Sequence, residues 1–354
     1  MSIHMFSLTR HRGFSLMELM IALSIGFIGV AVAGYLYLGN RQTFRMQSSM
    51  SAIQENSRFA LDTMSQDIRM AGYMGCGSQT SVVVNNITKN PQLATPVVGL
   101  EVFPDGAGWV APAGVTRVAG DVLRISRAGA TGVTLTGNMS VPTANIQIGG
   151  NPTGFVAGNV LMVSDCQNAD VFVATNVSNG IGTVTIAHAS NVNTANFLSK
   201  TYGVTSPPAQ VYMFQQTDYF VGCPTSAWNG SVCSEPDALY QVQNNGTPIA
   251  LVDNVENMAF SLGVGTQGVV SAYQTPAVVA AANNWANVLT VQTHLLMVGG
   301  PAFDPGSNVA VTPQPYTFPA NATFPPANQG TVYPADRRLR EETIATIAIR
   351  NRLP

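Results

Sequence analysis

Few residues in this chain have a type and spacing that could do chemistry, and Glu18 is the most unusual of them. It closes the segment Arg10-His11-Arg12-Gly13-Phe14-Ser15-Leu16-Met17-Glu18 and precedes a run from Leu19 to Gly39 that carries no charge. An ionised carboxylate in an apolar segment costs on the order of 2–3 kcal/mol or more unless it is paired, so this position calls for a partner. The second set is four cysteines, Cys76, Cys166, Cys223 and Cys233. An even number behind an export signal implies disulfide chemistry in an oxidising compartment, and four cysteines allow three pairings. The favoured ones are Cys223–Cys233, closing a short loop that contains Pro224 and Gly230, and Cys76–Cys166, tying the end of an N-terminal helix to the body. No Cys-x-x-Cys occurs and His4, His11, His188 and His294 show no ligand spacing, so no metal is expected. Asp165 and Asp170 read as solvent-facing loop residues, and Asp253 and Glu256 as residues that cap or end a turn. No Gly-x-Ser-x-Gly, phosphate loop or dinucleotide fingerprint stands in a strand-to-helix context. No catalytic residue, no cofactor and no enzymatic activity are expected.

The elements that must position Glu18 and the cysteines follow from periodicity. The uncharged run is about 21 residues, about 31 Å as a helix, which matches the hydrocarbon thickness of a bilayer. Beyond Gly39 the sequence turns polar without losing helical spacing: Met46, Met50, Ile53, Ser57, Ala60, Met64 and Ile68 form one stripe. No proline interrupts Phe14 to Ala71, so a single helix of about 58 residues is expected, stopped by Gly72. From Tyr73 the pattern changes to strands. They are expected at 97–103, 121–127, 132–136, 159–164, 171–176, 183–188, 210–221, 238–242, 248–252, 257–264, 288–298 and 343–350, separated by Gly-, Asn- and Pro-rich turns. The last of these is apolar on both faces and is expected to be buried. Residues 299–333 read as a long surface excursion. The body is therefore α+β, a β-rich globular domain on an amphipathic helix. The net charge of −2 leaves no electrostatic footprint for nucleic acid. Arg337, Arg338 and Arg340 adjoin Glu341 and Glu342 and read as a solvated, self-compensated segment.

Gly13-Phe14-Ser15-Leu16-Met17-Glu18 resembles the class III signal sequence of type IV prepilins. The resemblance implies a dedicated prepilin peptidase that cuts between Gly13 and Phe14 and N-methylates Phe14. It also implies an assembly role for Glu18, whose carboxylate would pair with the new N-terminal amine of a neighbouring subunit. Each charge is costly alone in an apolar filament core or membrane, so the pair would set register. Two other N-terminal readings compete: an ordinary secretory signal cut after Ala33, which would release a soluble periplasmic binding protein, and an uncleaved signal anchor. Glu18 inside the apolar run and the helical pattern beyond Gly39 weigh against both.

Further stretches resemble the PilW-like minor pilins: Asp67-Ile68-Arg69-Met70-Ala71-Gly72-Tyr73-Met74-Gly75-Cys76, Asp165-Cys166, Leu251-Val252-Asp253-Asn254-Val255-Glu256-Asn257-Met258, and Ile347-Ala348-Ile349-Arg350-Asn351. On this basis the resemblance spans the whole chain, leaving the 223–233 loop and the 299–333 excursion unmatched. Major pilins commonly carry a proline midway along the helix; its absence here argues against the bulk filament subunit. The resemblance implies a type IV pilin-like fold in three parts: a cleaved basic leader over 1–13, a long helix over 14–72 with 14–39 in the membrane or filament core, and a globular domain over 73–354. It implies a single-pass inner-membrane protein with a periplasmic domain that later joins the pilus at the cell surface. Its expected role is priming and assembly of a type IV pilus in a tip-located minor pilin complex. Expected partners are other minor pilins, the major pilin and a tip adhesin. The alternatives within the superfamily are a type II secretion pseudopilin and a DNA-uptake pilus subunit.

Overall fold

The structure, a computed structural model, describes residues 15–77, 81–90, 93, 97–205, 207–300, 305–310, 312–319, 331–332 and 334–352. The chain forms two compact units, residues 1–49 and 50–354. The long helix is continuous over Leu16–Arg69, as expected for a stretch without proline. It closes through a turn at Met70–Gly72, and Gly72 takes φ 74°, the left-handed conformation a glycine adopts at no steric cost.

In the first unit, every residue from Ser15 to Ser48 is exposed, including Phe27, Val30 and Tyr35 at 73%, 73% and 79%. In the second unit the helix buries Ile53, Ser57, Ala60, Leu61, Met64 and Ile68. The expected stripe thus begins to bury only at Ile53; Met50 is partly buried and Met46 remains 45% exposed. Against the buried stripe lie Leu100, Leu123, Ile125, Tyr219 and Leu239 from one sheet and Phe260, Leu262, Val291 and Leu295 from another.

The first sheet is organised by the strand Gln210–Pro224. Its C-terminal part pairs antiparallel with Val115–Ala128 on one side and Ala238–Gln243 on the other. Its N-terminal part pairs with Val160–Ser164 and Val133–Thr134. One strand therefore spans two cores. The second core holds Ile146, Ile148, Phe155, Phe172, Ile186 and Tyr202 beneath a three-stranded sheet of Ile146–Ile148, Val184–Ala187 and Asn176–Asn179. The remaining four-stranded sheet runs Val269–Gln274, Val255–Thr266, Val288–Val298, Arg340–Ala348.

The architecture is the expected one, a long N-terminal apolar helix followed by a β-rich domain. Three details differ. The strands Val83–Asn86, Ile146–Ile148 and Val269–Gln274 had no place in the sequence expectation, and Asn176–Asn179 meets it only at Asn176. The last strand, Arg340–Ala348, is an edge strand and mostly half-buried, with Ile344 49% exposed. The 299–333 excursion contains a 3-10 turn, Pro305–Ser307, and the two-residue strands Tyr316–Thr317 and Thr331–Val332. Residues 301–304, 311, 320–330 and 333 of it lie outside the described residues.

Candidate functional site

Gly13 and Phe14 lie outside the described residues, so the geometry of the processing point starts at Ser15. The helix begins with Ser15 and Glu18 capping one another. The Glu18 amide donates to Ser15 Oγ at 3.1 Å, and the Ser15 amide and hydroxyl donate to Glu18 Oε2 at 3.0 and 3.1 Å. This is a capping box, in which orphan donors of the first turn are satisfied reciprocally. Glu18 Oε1 has no partner among the described residues, and the side chain is exposed. The acid therefore fixes the helix start and still presents an accepting oxygen. The Ser-x-x-Glu spacing at Ser15 and Glu18 is the sequence signal of this box, a local role that the expectation of an intermolecular partner for Glu18 does not include.

Within the second unit, the helix end is held by a buried polar network. Asp67 accepts from Arg127 Nη2 at 3.1 Å and from the Tyr219 hydroxyl at 2.7 Å, and Gln241 Nε2 donates to the Tyr219 oxygen at 2.8 Å. Burial, reinforced by the Asp67 charge, raises the Tyr219 hydroxyl above the usual phenol range, so it stays a donor. The Asn351 amide donates to the Ala71 carbonyl at 3.3 Å. Two stretches at opposite ends of the sequence thus meet at the helix exit. Disulfides join Cys76 to Cys166, just beyond that exit, and Cys223 to Cys233.

The acidic residues are placed differently from expectation. Asp170 is fully buried, accepting from the Asn85 amide at 2.6 Å, the Ser199 hydroxyl at 2.7 Å and the Tyr202 hydroxyl at 2.7 Å. Asp165 pairs with Lys200 at 2.6 Å. Both are structural, and neither is a free loop acid. Glu256 does not end a turn; it joins Arg338 and Arg340, which also hold Asp336. The arginines are therefore compensated by partners other than Glu341 and Glu342, and Arg338 is only 7% exposed. Glu342 instead meets His294 at 2.7 Å.

The Cys223–Cys233 loop borders a cleft of about 270 Å³ lined by Trp228, Val232, Glu235, Asp237, Asn254 and Glu256. Burial, then the Glu256 charge, push the Asp237 carboxyl up to about 6 against the pull of Arg338. Cys223, Cys233 and Asp237 place potential ligand atoms within 4.8 Å of one another. Both sulfurs are committed to the disulfide, whereas metal ligation needs thiolate.

Two family models match the chain. The prokaryotic N-terminal methylation motif matches residues 8–34, and the type IV pilus-assembly protein W family, PilW, matches residues 219–351. Together they match a PilW-like type IV minor pilin. No curated protein and no solved structure gave a significant match. The PilW match includes the 223–233 loop and the 299–333 excursion, which the sequence reading had set aside as unmatched. It does not include Asp67–Cys76 or Asp165-Cys166, so the resemblance expected over the whole chain is carried by its two ends. The helix Leu16–Arg69 is long and apolar enough to cross a membrane. With the prepilin motif, that points to membrane anchoring followed by entry into the pilus.

Proposed function

We propose that this pilin takes part in priming and assembling a type IV pilus, within a minor pilin complex at the filament tip. The observation that carries the proposal is the pairing of a methylation motif at one end, continued by an apolar helix, with a PilW match at the other. In this reading a prepilin peptidase cuts between Gly13 and Phe14 and methylates Phe14. The protein then crosses the inner membrane once, with residues 73–354 in the periplasm, until other minor pilins and the major pilin draw it into the filament. A tip adhesin would sit on that complex. In this reading the protein serves as the substrate of an enzyme.

Glu18 is the assembly residue. Its Oε2 is used by Ser15, which leaves Oε1 to accept from the N-terminal amine of the adjacent subunit. The apolar face from Leu16 to Phe44 supports the same role, since all of it is exposed and needs lipid or other helices to cover it. The test is the intact mass and N-terminal sequence of the protein purified from its own membrane fraction. A chain starting at N-methylated Phe14 is expected. A start at Gly34 would mean an ordinary signal peptide and a start at Met1 an unprocessed anchor; either would remove the filament role of Glu18.

A further inference from the structure

Between the strands Val115–Ala128 and Gln210–Pro224, which pair with Ala128 opposite Phe214, the chain makes an excursion from Gly129 to Ala209. Neither family match touches this stretch. Most of it folds around the second core described above, which takes Ile87 and Val211 from outside the stretch, while Met162 and Val171 pack in a further cluster with Met74 and Tyr212. Its only charged residues are Asp165, Asp170 and Lys200. Asp165 and Lys200 neutralise each other, and Asp170 is buried under its hydrogen-bond donors. The lobe's own residues therefore leave no unpaired charge on its outer surface, which exposes Asn, Thr, Ser and Gly together with Val141, Val156, Ile181 and Phe197, and Lys89 reaches in from outside it to the Ser190 carbonyl.

That surface contains a cleft of about 300 Å³ lined by Asn138, Met139, Ser140, Asn145, Gln147 and Thr185. Gln147 and Thr185 are register partners, and Ser178 lies opposite Thr185 on the next strand. Since Ile146, Ile148, Val184 and Ile186 face the core, these three form a row of amide and hydroxyl groups on the other face. The facing loop is held in place from below. The Met139 amide donates to the Tyr202 carbonyl at 2.9 Å, His188 Nε2 meets the Ala144 carbonyl at 3.0 Å, and Asn138 Oδ1 accepts from the Val204 amide at 2.9 Å. The side chains of Ser140, Asn145, Gln147 and Thr185 make no hydrogen bonds among the described residues.

We propose that this cleft binds a neutral saccharide. An ionic ligand would leave water for a site with no counter-charge, and an apolar one would strip water from amides and hydroxyls that then have no partner. A sugar offers what the walls need, hydroxyls that donate and accept, and a C–H face for the half-buried Ala144, while Met139 packs into the core beneath. Strand addition by a peptide is not open beside it, because the free edge of Ile146–Ile148 is already taken: the Thr136 amide donates to the Gln147 carbonyl at 2.9 Å and Leu135 bridges Ile148. The site is independent of the pilin reading, whose support lies outside Gly129–Ala209.

The test is ligand-observed saturation-transfer NMR on the full chain in detergent, with lactose, maltotriose and chitotriose as neutral probes and sialyllactose as the anionic one. Transfer from at least one neutral probe is expected, unchanged as salt is raised, because no ion pair contributes. Asn145→Ala and Gln147→Ala should each weaken it by about fivefold, the loss of one hydrogen bond, while far-UV dichroism and melting temperature stay as in the parent. Silence from all three neutral probes would overturn the proposal. So would transfer confined to sialyllactose and lost with salt, or transfer that both variants leave untouched.

Discussion

At the scale of single residues, Glu18 carries two roles that substitution can separate. Removing the side chain with Glu18→Ala deletes both the capping oxygen and the charge; Glu18→Gln keeps a group that can cap but cannot pair with an ammonium. Ser15→Ala removes the cap partner and leaves the charge, at about 1 kcal/mol of helix-start stability. If pairing drives assembly, both Glu18 variants should fold, form both disulfides and drop out of sheared pili, whereas Ser15→Ala should still be incorporated. Quantifying each variant in the pilus fraction against the membrane fraction decides it, and incorporation of Glu18→Gln at the parent level would place the whole effect in capping. Asp237 gives a pH prediction. Its folded pKa of about 6 lies above the ordinary 3.8, so the folded state binds the extra proton and stability falls as pH rises through about 4–6. Asp237→Asn should flatten that part of the curve and raise stability at neutral pH by about 1 kcal/mol, after discounting for its partial exposure. Thermal melts of both proteins from acid to neutral pH would show it; parallel curves would count against a raised carboxyl at this site.

At the scale of elements, the docking of the helix onto the sheet rests on Asp67 as much as on the apolar stripe. Asp67→Ala leaves the Tyr219 hydroxyl and the Arg127 guanidinium without their acceptor in a place that is largely dry. The expected cost is about 2–4 kcal/mol, seen as a lower denaturation midpoint and faster proteolysis between Ile68 and Cys76. Asp67→Asn, which still accepts from Tyr219, should cost less than half as much. This network also shows what sequence can and cannot deliver. The helix, its amphipathic turn-over and the long strands around 210–224, 255–266 and 288–298 were legible because their periodicity is local. The partners of Asp67, Asp170 and Glu256 were not, since Tyr219, Ser199 and Arg340 lie 152, 29 and 84 residues away. An acid near a turn looks solvated until the fold brings donors to it. The Arg340–Ala348 strand misled for the opposite reason: a run of Ile, Ala and Thr is what an interior strand looks like, yet here it closes an edge. Short strands such as Ile146–Ile148 hold too few residues for an alternation to register.

At the scale of the molecule, two cores share the strand Gln210–Pro224, and the disulfides brace them unequally. Cys76–Cys166 joins residues 90 apart and ties the helix exit to the turn just past Val160–Ser164, one of the strands paired with that shared strand; Cys223–Cys233 spans only 10. In the chain-entropy picture the long loop contributes about 4–5 kcal/mol and the short one about 3. The long bridge also ties the segment just past the helix to the lobe over Gly129–Ala209, while the short one sits beside the cleft at Trp228 and Asp237. Replacing Cys76 and Cys166 together by Ser should therefore lower global stability by about 2 kcal/mol more than replacing Cys223 and Cys233. The two pairs should also differ in kind. The first should loosen the cluster in which Met162 and Val171 pack with Met74 and Tyr212, between the two cores, giving faster amide exchange there while the helix-packed core holds. The second should leave both cores protected and alter exchange only around Ala227 and Val232. Hydrogen exchange on the two double variants, read alongside denaturation midpoints, would reveal either pattern. Equal losses spread over both cores would mean that the domain unfolds as one cooperative body and that the shared strand couples the lobes more tightly than the bridges do.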